Sequence, residues 1–188
     1  MKIALNRKIN IAFLGRGTIA EACFPICKAN NNFDIKLVVS NNSFNNHFYK
    51  NDYVFISNKK RNEKLILENL KINNIDYILS VQHPWILSEE ILNQVNGQAF
   101  NLHNAKLPEY QGFNSISHAI LNGDKTYTST IHWINPIVDS GPIAYEETIN
   151  IEKDDTSKAL YNKSIDISIK NFTKLINDLS SKSEIPRK

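Results

Sequence analysis

The sequence has 188 residues, 41% of them hydrophobic and 22% charged, which suits one domain with a single sizeable core. Its 22 Lys and Arg against 19 Asp and Glu leave a formal charge of +3, too mild to mark a nucleic-acid or membrane surface. Two cysteines, Cys23 and Cys27, exclude a disulfide scaffold, and no apolar stretch has the length of a membrane span or a secretory signal, so a cytoplasmic protein is expected.

Residues 8–14 read as a strand, nearly continuous in apolar side chains from Ile9, and Gly15-Arg16-Gly17 follows as a turn. Thr18 is placed to cap a helix running towards Lys28, which Pro25 should kink. Residues 33–40 and 52–57 read as the second and third strands. Between 60 and 72, Leu65, Ile66, Leu67, Leu70 and Ile72 recur among charges, the pattern of an amphipathic helix. Residues 76–81 form a fourth strand. A short helix over 87–95 has Ser88 at its cap, with Glu89 and Glu90 beside the positive end of its dipole.

Residues 98–102 make a fifth strand, after which the character changes. A Pro- and Gly-bearing loop runs to Gly112, and a helix spans 115–122. Strands at 127–134 and 143–151 flank the loop 135–142, and a long amphipathic helix covers 156–179. The β-α-β alternation predicts an α/β fold, a mixed but mostly parallel sheet with helices on both faces. With neither an internal repeat nor a linker, residues 1–188 are expected to form a single domain.

Gly15-Arg16-Gly17 is a fragment of the dinucleotide fingerprint, with Ala20 available as its third small residue. The fingerprint also needs an acid after the second strand, but that strand ends Val38-Val39-Ser40-Asn41-Asn42. A tight turn is therefore preferred to an NAD-binding oxidoreductase, the alternative that keeps the fold and changes the reaction. Arg16 and the amides opening the helix can still hold a phosphate. Cys23 and Cys27 stand about one helical turn apart and suit the core. The histidines His47, His83, His103, His118 and His132 lack ligand spacing, so no metal is expected.

Residues 100–115 are the informative segment. Asn101 and His103 lie two apart at the end of a predicted strand, so their side chains project from one face where ligands of open α/β sheets gather. A carboxamide beside an imidazole can supply two hydrogen bonds to an oxygen that becomes anionic when a carbonyl is attacked. Asp139, in a loop rich in Gly and Pro, can polarise His103 or relay a proton. Each residue alone also has a structural reading: Asn at a strand end caps a turn, and Asp before Ser-Gly makes an Asx-turn.

Together, N-L-H-N-A-K-L-P-x-Y-x-G and, after the helix, H-W-I-N-x-x-x-D-S-G-P-I resemble the folate-dependent formyltransferases, and the resemblance runs from the first strand to about residue 151. It implies a Rossmann-like formyltransferase fold and transfer of a formyl group from N10-formyltetrahydrofolate to an amine, without a metal. Asn101, His103 and Asp139 match the family's catalytic trio. On that reading Asn101 and a protonated His103 donate to the oxyanion, while Asp139 favours the imidazolium and helps to remove the amine's surplus proton. Folate is implied between the loop Gln82-His83-Pro84-Trp85-Ile86-Leu87 and the loop bearing Val138 and Asp139.

Three branches of the family differ in the acceptor. Methionyl-tRNA formyltransferases carry a further C-terminal domain for which 188 residues leave no room. Glycinamide ribonucleotide formyltransferases usually read H-P-S-L-L-P after the catalytic Asn, whereas His103 is followed here by Asn104-Ala105-Lys106-Leu107-Pro108. Sugar N-formyltransferases read N-L-H-N-A-K-L-P-x-Y-x-G-x-N-x-I-S-H, and residues 101–118 follow that pattern. The implied acceptor is a nucleotide-linked deoxyamino sugar, dTDP-4-amino-4,6-dideoxyglucose, used for a surface polysaccharide such as the O-antigen of lipopolysaccharide. Lys106, Tyr110, Gln111, Gly112 and Asn114 would lie near it, and Arg16 near its pyrophosphate. The partners expected are this sugar and a second copy in a homodimer, with neither nucleic acid nor membrane. Because the sequence stops at Ile185-Pro186-Arg187-Lys188, partway through an I-P-R-x-P-like segment, residues 1–188 are read as a catalytic domain lacking a C-terminal extension.

Overall fold

A strand that is apolar along its whole length has no face to offer water and must be covered on both sides. The computed structural model, which describes residues 7–41 and 53–188, places two such strands at the sheet centre, β1 (Ile9–Gly15) and β4 (Tyr77–Val81). Around them lie β2 (Phe33–Ser40), β3 (Val54–Ser57), β5 (Ala99–His103), β6 (Thr126–Trp133) and β7 (Ile143–Asn150). In the described residues the order is β3-β2-β1-β4-β5-β6-β7. The first five strands run parallel, β6 is antiparallel to β5, and β7 is antiparallel to β6. His47, Asn42 and Asp52, the last of these opening the predicted third strand, lie outside the described residues.

Helices cover both faces. On one, α1 (Gly17–Ala29) and α5 (Ser157–Ser180) join a core of Phe13, Phe24, Phe100, Trp133 and Phe172. On the other, α2 (Glu63–Ile72) and α3 (Glu89–Gln94) close over Leu14, Leu37, Ile66, Leu70 and Ile91. A smaller cluster of Ala119, Tyr127 and Leu160 seats α4 (Ser115–Asn122). Ser88 caps α3 by accepting from the Ile91 amide at 3.4 Å, and Thr156 caps α5 by accepting from Ala159 at 3.2 Å. Among the described residues no helix is long and apolar enough to cross a membrane.

One expectation for α1 fails. Arg16, with extended backbone, occupies the N-cap, and Thr18 lies inside the first turn. The helix starts this early because Gly15 has no side chain: a Cβ there would stand 2.8 Å from Ala20 Cβ and 3.1 Å from the Val81 carbonyl. Pro25 lies inside this helix, with buried Phe24 and Cys27 on either side anchoring both halves to the sheet.

The chain turns back at β1, sending β2 and β3 to one side and β4 to β7 to the other. The crevice outside the carboxyl ends of β1 and β4 is where such sheets bind ligands. A buried polar network secures the neighbouring strand end. Asn104, the residue that follows His103, donates to Ser164 Oγ of α5 at 2.9 Å, and Asn171 of α5 donates to the Ser129 carbonyl of β6 at 2.8 Å.

Candidate active site

Three strand ends and one loop build the site. Pairing of β4 with β5 sets Ser80 opposite Asn101, and pairing of β5 with β6 sets Asn101 opposite His132. His103 follows two residues along β5. The loop between β6 and β7 then folds back over β6, which Gly141 permits. A Cβ on Gly141 would stand 1.8 Å from the Trp133 carbonyl oxygen. At the tip, Asp139 adopts the left-handed conformation, φ 49°, that Asp tolerates better than most residues.

Asp139 bridges the site. Its Oδ2 lies 3.5 Å from His103 Nδ1 and accepts from the Gly112 amide at 3.0 Å. Its Oδ1 lies 3.4 Å from His132 Nε2 and 3.5 Å from Asn101 Nδ2. Asn101 is held more closely on its other contacts: Nδ2 stands 3.1 Å from His132 Nε2, and Oδ1 accepts from Ser80 Oγ at 2.9 Å. The His103 and Asp139 side chains are each 12% exposed, so they reach one cleft while sheltered from bulk water.

Burial pushes the Asp139 carboxyl up, but its polar neighbours, the Gly112 amide among them, hold it below the usual carboxylate value, so it is ionised. For His103 burial wins: it favours the neutral ring more than Asp139 and the Tyr110 carbonyl favour the charged one, and the pKa falls below its ordinary value. The proton of the neutral ring sits on Nε2, which is 2.7 Å from the Tyr110 carbonyl, a group that only accepts. Resting His103 is thus a neutral base with Nδ1 turned to Asp139, a state that the sequence leaves open.

A cleft of about 730 Å3 opens over these groups. Of the residues singled out in the sequence, Arg16, Gln82, His83, Pro84, Trp85, Ile86, Leu87, Asn101, His103, Gly112, Asn114, Val138 and Asp139 line it. Lys106, Tyr110 and Gln111 do not. Lys106 pairs with Glu109 at 2.6 Å, and the Tyr110 hydroxyl is tied to Asp124, away from the cleft. Gln111 donates to the Asp139 carbonyl at 3.1 Å and braces the loop. Both ring nitrogens of His83 are buried without a hydrogen-bond partner, and burial, aided by Arg16, pushes its pKa down to about 4.

Sequence reasoning missed Ser80 and His132. His132 stood inside the H-W-I-N motif, but its place opposite Asn101 is a matter of strand pairing, which spacing along the chain does not carry. Phe113 and Ile137, 77% and 71% exposed, add apolar surface to the same cleft.

Residues 8–176 match the family model described as Formyl transferase. Over 88 residues, 47% of the chain, the sequence is 41% identical to the bifunctional polymyxin resistance protein ArnA of Wigglesworthia glossinidia brevipalpis. Over 130 residues, 69% of the chain, it is 33% identical to a methionyl-tRNA formyltransferase of Clostridium tetani. These matches span 14% and 42% of the relatives' own lengths. A phosphoribosylglycinamide formyltransferase from Bacillus halodurans has the same fold, with a TM-score of 0.76 at 23% identity, covering 95% of this chain and 97% of that one. A formyltetrahydrofolate deformylase from Pseudomonas syringae pv. tomato reaches a TM-score of 0.84 at 15% identity, covering 94% and 62%.

Proposed function

The chain belongs to the formyl transferase family, and from that membership we propose that it transfers a formyl group to the amine of a nucleotide-linked deoxyamino sugar, with Asn101, His103 and Asp139 as its catalytic residues. N10-formyltetrahydrofolate is the family's co-substrate. The observation that carries the reading is the convergence of these three side chains, from two separated segments, around one carboxylate. The cleft suits the donor. Its volume lies within the roughly 300–1,000 Å3 common for small-molecule sites, and Trp85, Ile86, Ile137 and Val138 give it apolar walls above a polar floor.

When bound, the donor supplies the formyl carbon and takes up, on the nitrogen it frees, the proton that the acceptor loses. The chain's own residues do the rest. Asn101 donates an N–H to the carbonyl oxygen as negative charge gathers on it. His103 takes the acceptor's proton at Nδ1, which it can do because it starts neutral. The imidazolium so formed faces ionised Asp139 at 3.5 Å and passes that proton to the nitrogen the donor frees, which returns His103 to its neutral state. Charge on His103 therefore arises during the reaction rather than before it. Asp139 holds the ring and offsets that charge.

For the acceptor, the run from Asn101 to His118, with Asn104-Ala105-Lys106 after His103, supports an amino sugar such as dTDP-4-amino-4,6-dideoxyglucose. A second reading, glycinamide ribonucleotide, is favoured by one observation: a solved enzyme with that type of name is matched over 97% of its length. Mass spectrometry after incubation with N10-formyltetrahydrofolate and each amine separates them. The sugar is expected to gain one formyl group; formylation of glycinamide ribonucleotide alone overturns the sugar assignment.

A further inference from the structure

Building on the proposed formyl transfer, we infer that Ser80 and His132 are positioning residues that together hold the Asn101 amide with its NH2 end towards the reacting centre. The three side chains form one row across the sheet, since Ser80 is registered with Asn101 and Asn101 with His132. The oxygen and nitrogen ends of an amide have nearly the same shape, so packing alone does not choose between them and hydrogen bonding must.

The choice begins at Trp133. Its carbonyl lies 2.8 Å from His132 Nδ1 and can only accept, so Nδ1 carries a proton. In the neutral ring Nε2 is then an acceptor, and at 3.1 Å it requires the NH2 end of Asn101. Oδ1 is thereby turned to Ser80, whose hydroxyl donates at 2.9 Å. Ser80 alone could not decide, because a hydroxyl accepts as readily as it donates; it satisfies the oxygen and holds the amide plane. Ser80 is 6% exposed and His132 2%, so water competes for neither bond.

The second N–H of Asn101 has only a 3.5 Å approach to Asp139 Oδ1, long for a hydrogen bond, which leaves it for a carbonyl oxygen lying between Asn101 and His103. A reversed amide would present lone pairs to an oxygen gaining negative charge, replacing attraction by repulsion. The competing arrangement is a charged His132 donating to Asp139 Oδ1 at 3.4 Å, which would turn Asn101 round; the shorter amide contact favours the neutral ring.

Long-range 15N–1H spectra of protein labelled in its histidine rings test the tautomer directly, with the His132 signals assigned by their loss in His132→Phe. A protonated Nδ1 and a bare Nε2 are expected; protons on both nitrogens, or on Nε2 alone, overturn the inference. In kinetics, Ser80→Ala should lower kcat roughly tenfold, as expected for a lost buried hydrogen bond, with KM for N10-formyltetrahydrofolate unchanged. Ser80→Thr should restore kcat. The double variant Ser80→Ala/His132→Phe should be no slower than His132→Phe alone, because both changes act on one amide. Wild-type kcat in Ser80→Ala, or effects that add, overturns the inference. Should the wild type formylate no amine offered, the proposed function fails, while the ring spectra still decide the amide's orientation.

Discussion

In the proposed reaction His103 carries the most chemistry at the residue scale, and its environment sets its charge. Burial lowers its pKa and Asp139 is the largest influence raising it. The ring therefore protonates only below its ordinary 6.5, and a reaction that needs the neutral base falls away as pH drops through the lowered value. Asp139 titrates lower still, being held below its usual 3.8, so the acid limb of kcat/KM belongs to His103. Replacing Asp139→Asn removes the raising influence. The limb should move to lower pH, and kcat should fall roughly 100-fold as the imidazolium loses its counter-charge. A pH–rate profile checks both, and a limb that stays in place or moves up would be inconsistent with His103 as the base. Spacing put Asn101 and His103 on one strand face, and the resemblance to the formyltransferases joined Asp139 to them. The neutral state of His103 was not legible in the sequence, because desolvation depends on what packs around the ring.

Among the elements, the β6–β7 connection decides whether the trio assembles. Asp139 reaches His103 only because the loop lies against β6, with the Trp133 amide donating to the Pro142 carbonyl at 2.9 Å. Gly141→Ala would force a Cβ into the 1.8 Å gap beside the Trp133 carbonyl and push the loop outward. A displacement of about 1 Å can cost on the order of 100-fold in rate, so kcat should fall by that factor while far-UV circular dichroism is unchanged. Full activity would mean that the loop tolerates the shift. The sequence reading located most elements to within a few residues, since hydrophobic period and cap chemistry are local properties; Ser88 at the start of α3 is one instance. Thr18 shows the limit. Its cap chemistry was sound, but Gly15 let the helix begin two residues early, and that close approach of Ala20 is a tertiary fact.

Over the whole molecule, the last residues close the sheet's antiparallel side. Ile185 is buried, the Pro186 carbonyl accepts from Trp133 Nε1 at 2.8 Å, and the Arg187 guanidinium lies 3.6 Å from the Trp133 ring centre. Lys188 pairs with Ile143 through two 3.0 Å backbone hydrogen bonds. Deleting residues 184–188 should lower Tm by roughly 5–10 °C, from the lost burial of one Ile and its accompanying bonds. An unchanged melting curve would mean that the segment contributes nothing. The same scale separates what was written in the chain from what was not. By itself the sequence determined the α/β class and the order of its elements, because alternation, capping and turn residues act over a few neighbours. Only the tertiary structure decided that Ser80 and His132 flank Asn101, that Lys106 and Tyr110 turn away from the cleft, and that His103 rests neutral. Those are consequences of strand register and burial, which join residues far apart in the chain and have no signature in the spacing along it.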